Sequence, residues 1–279
     1  MTDPKHPMRR TVARSAVSSP RKPGTASTRR RKRDRARELL QRMQERRRRR
    51  RTLRRERIAK GLRTPQKRKK VALALGASAM SFNTAAISAS AIALSNTASA
   101  QEYVMQDPTQ VRVSASKISA SDDMKLALIE EEGIHRTVYA DPVGLLTVGV
   151  GHLVAPEDNL RLGQHISDDR IIELLEQDLE IAEQAVQRLV GDLTLYQHEF
   201  DALVDLVFNV GEGNVSPERS PRLNQAIADR NYEGIAEQLA YHNAAGERLK
   251  GLQFRSDRRE AIFMEARYDN PREAAASRT

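Results

Sequence analysis

The chain has 279 residues, 47 Lys+Arg against 37 Asp+Glu, and no Cys, so neither a disulfide framework nor a Cys-ligated metal site can form. Its length gives one sizeable core with room for a second domain. The net charge of +10 joins two unlike pieces: residues 1–70 carry 29 Lys+Arg against 5 Asp+Glu, a balance of +24, and the remaining 209 residues stand at −14. Such a split points to two differently solvated parts rather than one uniformly basic protein.

Residues 1–66 are Arg-rich, with RRRKRDR and ERRRRRRTLRRER and few large apolar side chains. Leu39, Leu40 and Met43 suggest a helical turn around 34–46, but like-charge repulsion predicts an extended, disordered basic arm. Its charge suits non-specific contact with nucleic acid or anionic lipid by residues 1–70. Without stacking aromatics or a recognition module, sequence-specific readout is not expected.

Lys67-Arg68-Lys69-Lys70 then meets 31 uncharged residues, Val71 to Gln101, ending Ala98-Ser99-Ala100 before Gln101. A positive flank, an apolar middle and a small-x-small end are the parts of a secretory signal. The flank should stay inside and send the later chain outward. Ser residues and Asn83 dilute the run, which is thin for a permanent span of about 20 apolar residues. The expectation is a signal or signal-anchor over 67–100, inserting through 71–94, and a polar linker over 101–120.

From Ser121 to about Tyr268 the composition is that of a globular domain, followed by a polar tail over 269–279. Helices are predicted over 122–132, 168–190, 196–210 and 221–229, with further pieces near 232–243 and 256–267. A hairpin-like region falls at 136–153. Ser167-Asp168-Asp169 caps the longest helix, whose apolar face runs through Ile171, Ile172, Leu175, Leu179, Ala182, Val186 and Leu189. The fold class is α+β, mainly helical, with one small antiparallel sheet.

Met124, Leu128 and Glu132 share one helical row, so Glu132 closes an apolar stripe and Gly133 supplies the stop. Partial burial raises a carboxyl's pKa, and a carboxyl protonated near neutral pH can act as a general acid. Asp141-Pro142-Val143-Gly144 fits a type I turn, and Leu145 to Val150 returns as a strand carrying Thr147. Two carboxylates flanking a cleft, with a hydroxyl to help hold water, are the equipment of glycoside hydrolysis. On spacing alone, however, a Glu and an Asp nine residues apart are commonplace, and Asp-Pro-x-Gly is more often only a turn.

The ordered context is more specific. Glu132, eight residues, Asp141, five residues and Thr147, with the run T-V-G-V-G-H, resemble the active-site signature of the phage-type lysozymes, the muramidase endolysins related to the T-even phage enzyme. Gln197-x-x-Phe200-Asp201-Ala202-Leu203 leading to Phe208-Asn209-Val210-Gly211-x-Gly213 resembles the central helix of that family. Gly251-Leu252-x-x-Arg255-x-x-Arg258-Arg259-x-x-Ile262-Phe263 resembles its C-terminal arginine motif.

The resemblance covers about 121–268 and implies a lysozyme-like domain that cuts the β-1,4 bond between N-acetylmuramic acid and N-acetylglucosamine in peptidoglycan. Glu132 would be the acid, and Asp141 with Thr147 would position water for attack with inversion. Arg255 would orient Glu132 through an ion pair, and Leu153, Phe208 and Asn209 would line the glycan cleft. No cofactor or metal is implied, His152 is structural in the family, and a monomer is expected.

The diluted 71–100 run resembles the signal-anchor-release segments of some phage endolysins, consistent with export to the periplasm or wall and tethering before release. A departure from the family pattern lies after Gly213, where Pro217 and Pro221 stand where relatives often have a Phe. The competing expectation is a non-catalytic wall-binding or virion structural protein on the same fold, but intact Glu132, Asp141 and Thr147 weigh against it.

Overall fold

The computed structural model describes residues 26–59, 107–239, 243–244, 247–248 and 250–272. The expected export segment, 67–100, lies outside them. Among the described residues no helix is long and apolar enough to cross a membrane. Met1–Arg47 and Gln106–Thr279 make one compact unit and Arg48–Met105 a second.

Three helices frame the core of the first unit. Helix α2 (Asp122–Glu132) begins where the Ser121 hydroxyl accepts the Met124 N–H, and Gly133 ends it at φ 80°. Asp122 and Asp123 in its first turn favour the positive end of the helix dipole. Helix α3 (Asp168–Val190) repeats the device: Ser167 accepts from the Arg170 N–H, and Gly191 follows the last turn. Its Ile171, Ile172, Leu175, Leu179, Ala182 and Val186 are buried, as their 3.6-residue period requires. Helix α4 (Gln197–Val210) is buried along nearly its whole length, so it reads as a central core helix rather than an amphipathic surface one.

Between α2 and α3 lies a three-stranded antiparallel sheet of β2 (His135–Ala140), β3 (Leu146–Gly149) and β4 (His152–Leu153), in that order. Tyr139 pairs Thr147, and Thr147 pairs Leu153 on its other side. After α4 come the short helices α5 (Pro221–Ala228) and α6 (Tyr232–Glu237), then α7 (Lys250–Glu265). This order gives the mainly helical α+β domain that the sequence predicts, with its three-stranded antiparallel sheet between α2 and α3.

Three boundaries differ from the sequence reading. The arm is not disordered throughout: Ala26–Ala59 form a helix, α1. Ala36, Leu39, Leu40 and Met43 are buried, each at or below 8 % exposure. Burying a Leu or Met side chain contributes about 1.5–3 kcal/mol, and acidic side chains of the domain neutralise the repulsion that the arm would feel alone. Arg33 pairs Glu130, Arg42 pairs Asp168, Arg46 pairs Glu173 and Arg47 pairs Glu176. In the second unit the helix continues to Ala59, with the Thr52 hydroxyl donating to the Arg48 carbonyl.

The segment expected as linker is part of the domain from Asp107 onward. Strand β1 (Val113–Ser114) pairs antiparallel with β5 (Thr194–Leu195), and Val113, Ala115, Ile118 and Ala120 are buried. Arg112 stacks over Tyr232, 3.6 Å from its ring centroid, and binds Glu199 through both carboxylate oxygens. The expected tail is also anchored, because Arg272 makes a two-pronged pair with Glu131 at 2.5 and 2.7 Å.

Candidate active site

Glu132 is the last residue of α2, and its carboxylate is gripped on two sides. Oε1 accepts from Arg255 Nη1 at 2.6 Å. Oε2 lies under the β3–β4 turn, where a Cβ added at Gly151 would meet it at 3.2 Å. Gly151 has φ +70°, so only glycine gives both the left-handed turn and the close approach. The Glu132 side chain is held, yet it keeps 22 % exposure.

Arg255 is itself fixed from behind. Its Nε and Nη2 reach Asp205 of α4 at 3.3 and 2.9 Å, and Asp205 also accepts from Arg259 Nε at 2.8 Å. Burial alone would raise the Asp205 carboxyl, but the two guanidiniums hold it well below the usual carboxylate range. At Arg255 burial works against the charge, but the carboxylates of Asp205 and Glu132 outweigh it and strengthen the cation. For Arg259, burial dominates and lowers its pKa. One wall of the small cavity behind Glu132 is formed by Glu131, Asp205, Arg255 and Arg259. Arg258 completes the layer by donating to Glu130, to the Ala127 carbonyl and to the Tyr268 carbonyl.

Asp141 is held by local bonds. Its Oδ1 accepts the N–H groups of Val143 (3.0 Å) and Leu145 (2.8 Å), and its own N–H donates to the Leu145 carbonyl. The Gly144 N–H closes the turn on the Asp141 carbonyl, with Gly144 at φ +85°. These bonds fix one carboxylate oxygen and orient the group at the β2–β3 turn. Thr147, 5 % exposed, sits on β3 between Tyr139 and Leu153, its hydroxyl donating to the Leu145 carbonyl at 3.4 Å. The hairpin therefore brings Asp141 and Thr147 to one end of a four-residue strand and the Gly151 turn over Glu132 to the other.

Of the expected cleft residues, Leu153 is partly exposed on β4, whereas Phe208 and Asn209 are buried near the end of α4. The Asn209 Oδ1 makes no hydrogen bond among the described residues. His152 lies between two acids, Nδ1 3.0 Å from Asp178 and Nε2 2.9 Å from Asp158. Burial would lower its pKa, but the bonds and charges of Asp178 and Asp158 raise it. With both ring nitrogens engaged, it is occupied in tying β4 to α3. The two-proline segment is well tied: Asn214 donates to the Val210 carbonyl, Ser220 to the Asn214 carbonyl and Asn224 to the Val215 carbonyl.

Sequence reasoning missed Asp205, Arg272 and the docking of α1. The signal for Asp205 was present: an acid in the middle of a core helix demands a buried partner, and three arginines wait in the C-terminal motif.

Residues 129–261 match the family described as Phage lysozyme. The chain is 33% identical over 138 residues to the endolysin of Salmonella phage P22, covering 49% of this chain and 92% of that protein. It is 34% identical over 139 residues to the SAR-endolysin of Escherichia phage Mu, covering 49% and 76%. A solved endolysin from Escherichia coli O157:H7 phage FAHEc1 superposes with a TM-score of 0.47 at 22% identity, covering 55% of this chain and 97% of that one.

Proposed function

The chain belongs to the phage lysozyme family, and from that premise we propose that it is an exported muramidase endolysin whose acid is Glu132 and whose second carboxylate is Asp141. Its substrate is the peptidoglycan glycan strand, cut at the β-1,4 bond between N-acetylmuramic acid and N-acetylglucosamine for lysis of the host cell.

The observation that carries the reading is the unequal seating of the two carboxylates across one small sheet. Glu132 is clamped by a guanidinium but its side chain stays partly exposed, as an acid that must meet a glycosidic oxygen requires. Asp141 has one oxygen tied by backbone N–H groups, leaving the other to hold a water. Inverting hydrolases hold their carboxyls about 6.5–9.5 Å apart, which leaves room for a water opposite the leaving group, and the family resemblance carries that route over to Glu132 and Asp141. In this mechanism Glu132 protonates the leaving oxygen as the glycosidic bond breaks. Asp141 and Thr147 orient the water and Asp141 takes up its proton, so the product carries the inverted anomeric configuration. Leu153, partly exposed on β4, offers the glycan apolar contact, and the buried Phe208 and Asn209 support the site from the end of α4.

The uncharged 71–100 run and its basic flank support insertion in the inner membrane and delivery of the −14 portion to the wall side, tethered before release. The Mu relative is itself a SAR-endolysin. The enzyme acts as a monomer, and the basic arm adds non-specific attraction to anionic lipid or nucleic acid.

Turbidity loss of outer-membrane-permeabilised bacteria tests the activity, and the first-formed anomer tests the route. Clearing by the purified protein with release of the α-anomer is expected. Release of the β-anomer overturns inversion, and absence of clearing overturns the enzyme reading in favour of a wall-binding protein.

A further inference from the structure

Helix α1 lies along α2 in the opposite direction and against the first half of α3. Lys32 donates to the Glu131 carbonyl at the end of α2 and Gln44 reaches Asp122 at its start. Arg42, Arg46 and Arg47 meet Asp168, Glu173 and Glu176 down successive turns of α3. Ala36, Leu39 and Met43 enter the same core cluster as Leu128 and Ile129 of α2 and Ile172 of α3. The groove between α2 and α3 is thus acidic at its rims and apolar at its floor. It recognises a basic amphipathic helix, and the occupant is residues 26–47 of this chain.

Two of these contacts fall on the turn that ends in Glu132. Lys32 places a cation at the carbonyl end of α2, where the helix dipole favours it, and Arg33 pairs Glu130 at 3.2 Å. On the other side Arg258 holds Glu130 and Arg272 holds Glu131. Cations from both ends of the chain therefore fix the three-glutamate end of α2.

We infer that α1 is a positioning helix for the catalytic acid: its docking in the α2–α3 groove fixes the last turn of α2, and full turnover requires the groove to be filled. This rests on the reading of Glu132 as the acid.

The test uses the full chain with Leu39→Asp and Met43→Asp together, to empty the groove, beside the conservative pair Leu39→Met and Met43→Leu. Reducing-end release from soluble peptidoglycan is followed at a temperature where circular dichroism shows every variant folded. The expected result is a roughly ten-fold fall in kcat with KM nearly unchanged for the Asp pair, full activity for the conservative pair, and recovery on adding a synthetic peptide of residues 26–47. Such specificity is expected of an orienting contact, since small misplacements of a reacting group cost about this much or more. A folded Asp pair with wild-type kcat, or a loss that the peptide does not reverse, overturns the inference. Inactivity of the wild-type chain is a different failure, that of the lysozyme reading itself.

Discussion

The two carboxylates of the site are held by opposite means. Asp141 is fixed by its own neighbours, through backbone N–H groups two and four residues on. Glu132 is fixed by Arg255, 123 residues away, which leans on Asp205 of a third helix. A locally held group survives changes elsewhere in the fold, whereas a remotely held one depends on the packing of α2, α4 and α7 together. The hairpin carries its geometry in five residues, and the acid inherits its geometry from the whole core.

The largest effect tests the chemistry on both sides at once. Asp141→Asn and Glu132→Gln each preserve shape while removing the charge or the transferable proton, and each should lower turnover by about 100-fold or more. Melting temperatures should separate them. Asp141→Asn leaves the local turn nearly as stable, whereas Glu132→Gln unsettles Arg255. Equal melting shifts would erase the proposed difference in how they are held.

Next in size is Asp205→Asn, which leaves Arg255 and Arg259 facing each other in the interior. Breaking a buried pair by removing one partner costs about 3–5 kcal/mol, and denaturant unfolding should report a loss on that scale. A change below about 1 kcal/mol would mean that the guanidiniums find other partners and that Asp205 is dispensable.

A third test concerns the tie between β4 and α3. The folded-state pKa of His152 is raised, so its stabilisation is fully present below the unfolded value of about 6.5 and is lost as pH climbs through the raised value. Asp158 is lowered, His152 and the Ala155 N–H outweighing its burial; its contribution holds above about 3.9 and disappears as acid reaches the lowered value. His152→Gln should therefore cost most, about 3 kcal/mol, between these limits, and the gap to wild type should narrow at pH 8.5. A pH-independent gap would remove the ion pair from the account.

The smallest effect sharpens the local side. Gly144 has φ +85° with open space around it, so Gly144→Ala adds backbone strain without a clash, about 1–2 kcal/mol. Activity should fall only a few-fold, because Asp141 keeps its own hydrogen bonds.

The same contrast explains what could be read in the sequence. Glu132, Asp141 and Thr147 stand out because a helix stop, an Asp-Pro-x-Gly turn and a short strand are short-range patterns, written in consecutive residues. Helices with Ser caps and a 3.6-residue apolar period, such as 168–190, were legible for the same reason. Asp205 was not singled out, because its meaning depends on arginines 50 and 54 positions later. Helix α1 is not legible in its own residues, because its charge favours a helix only against the acidic groove that receives it. Val113 and Ile118 looked like linker residues because a two-residue strand has too little period to detect, and its partner lies 80 residues downstream.

The most direct measurement is the release of new reducing ends from purified, protein-free peptidoglycan by the wild-type chain and by Glu132→Gln, at equal concentration and with matched circular dichroism spectra. The account predicts steady release by the wild type and a rate at least about 100-fold lower for the variant. Release at the wild-type rate by folded Glu132→Gln would contradict it.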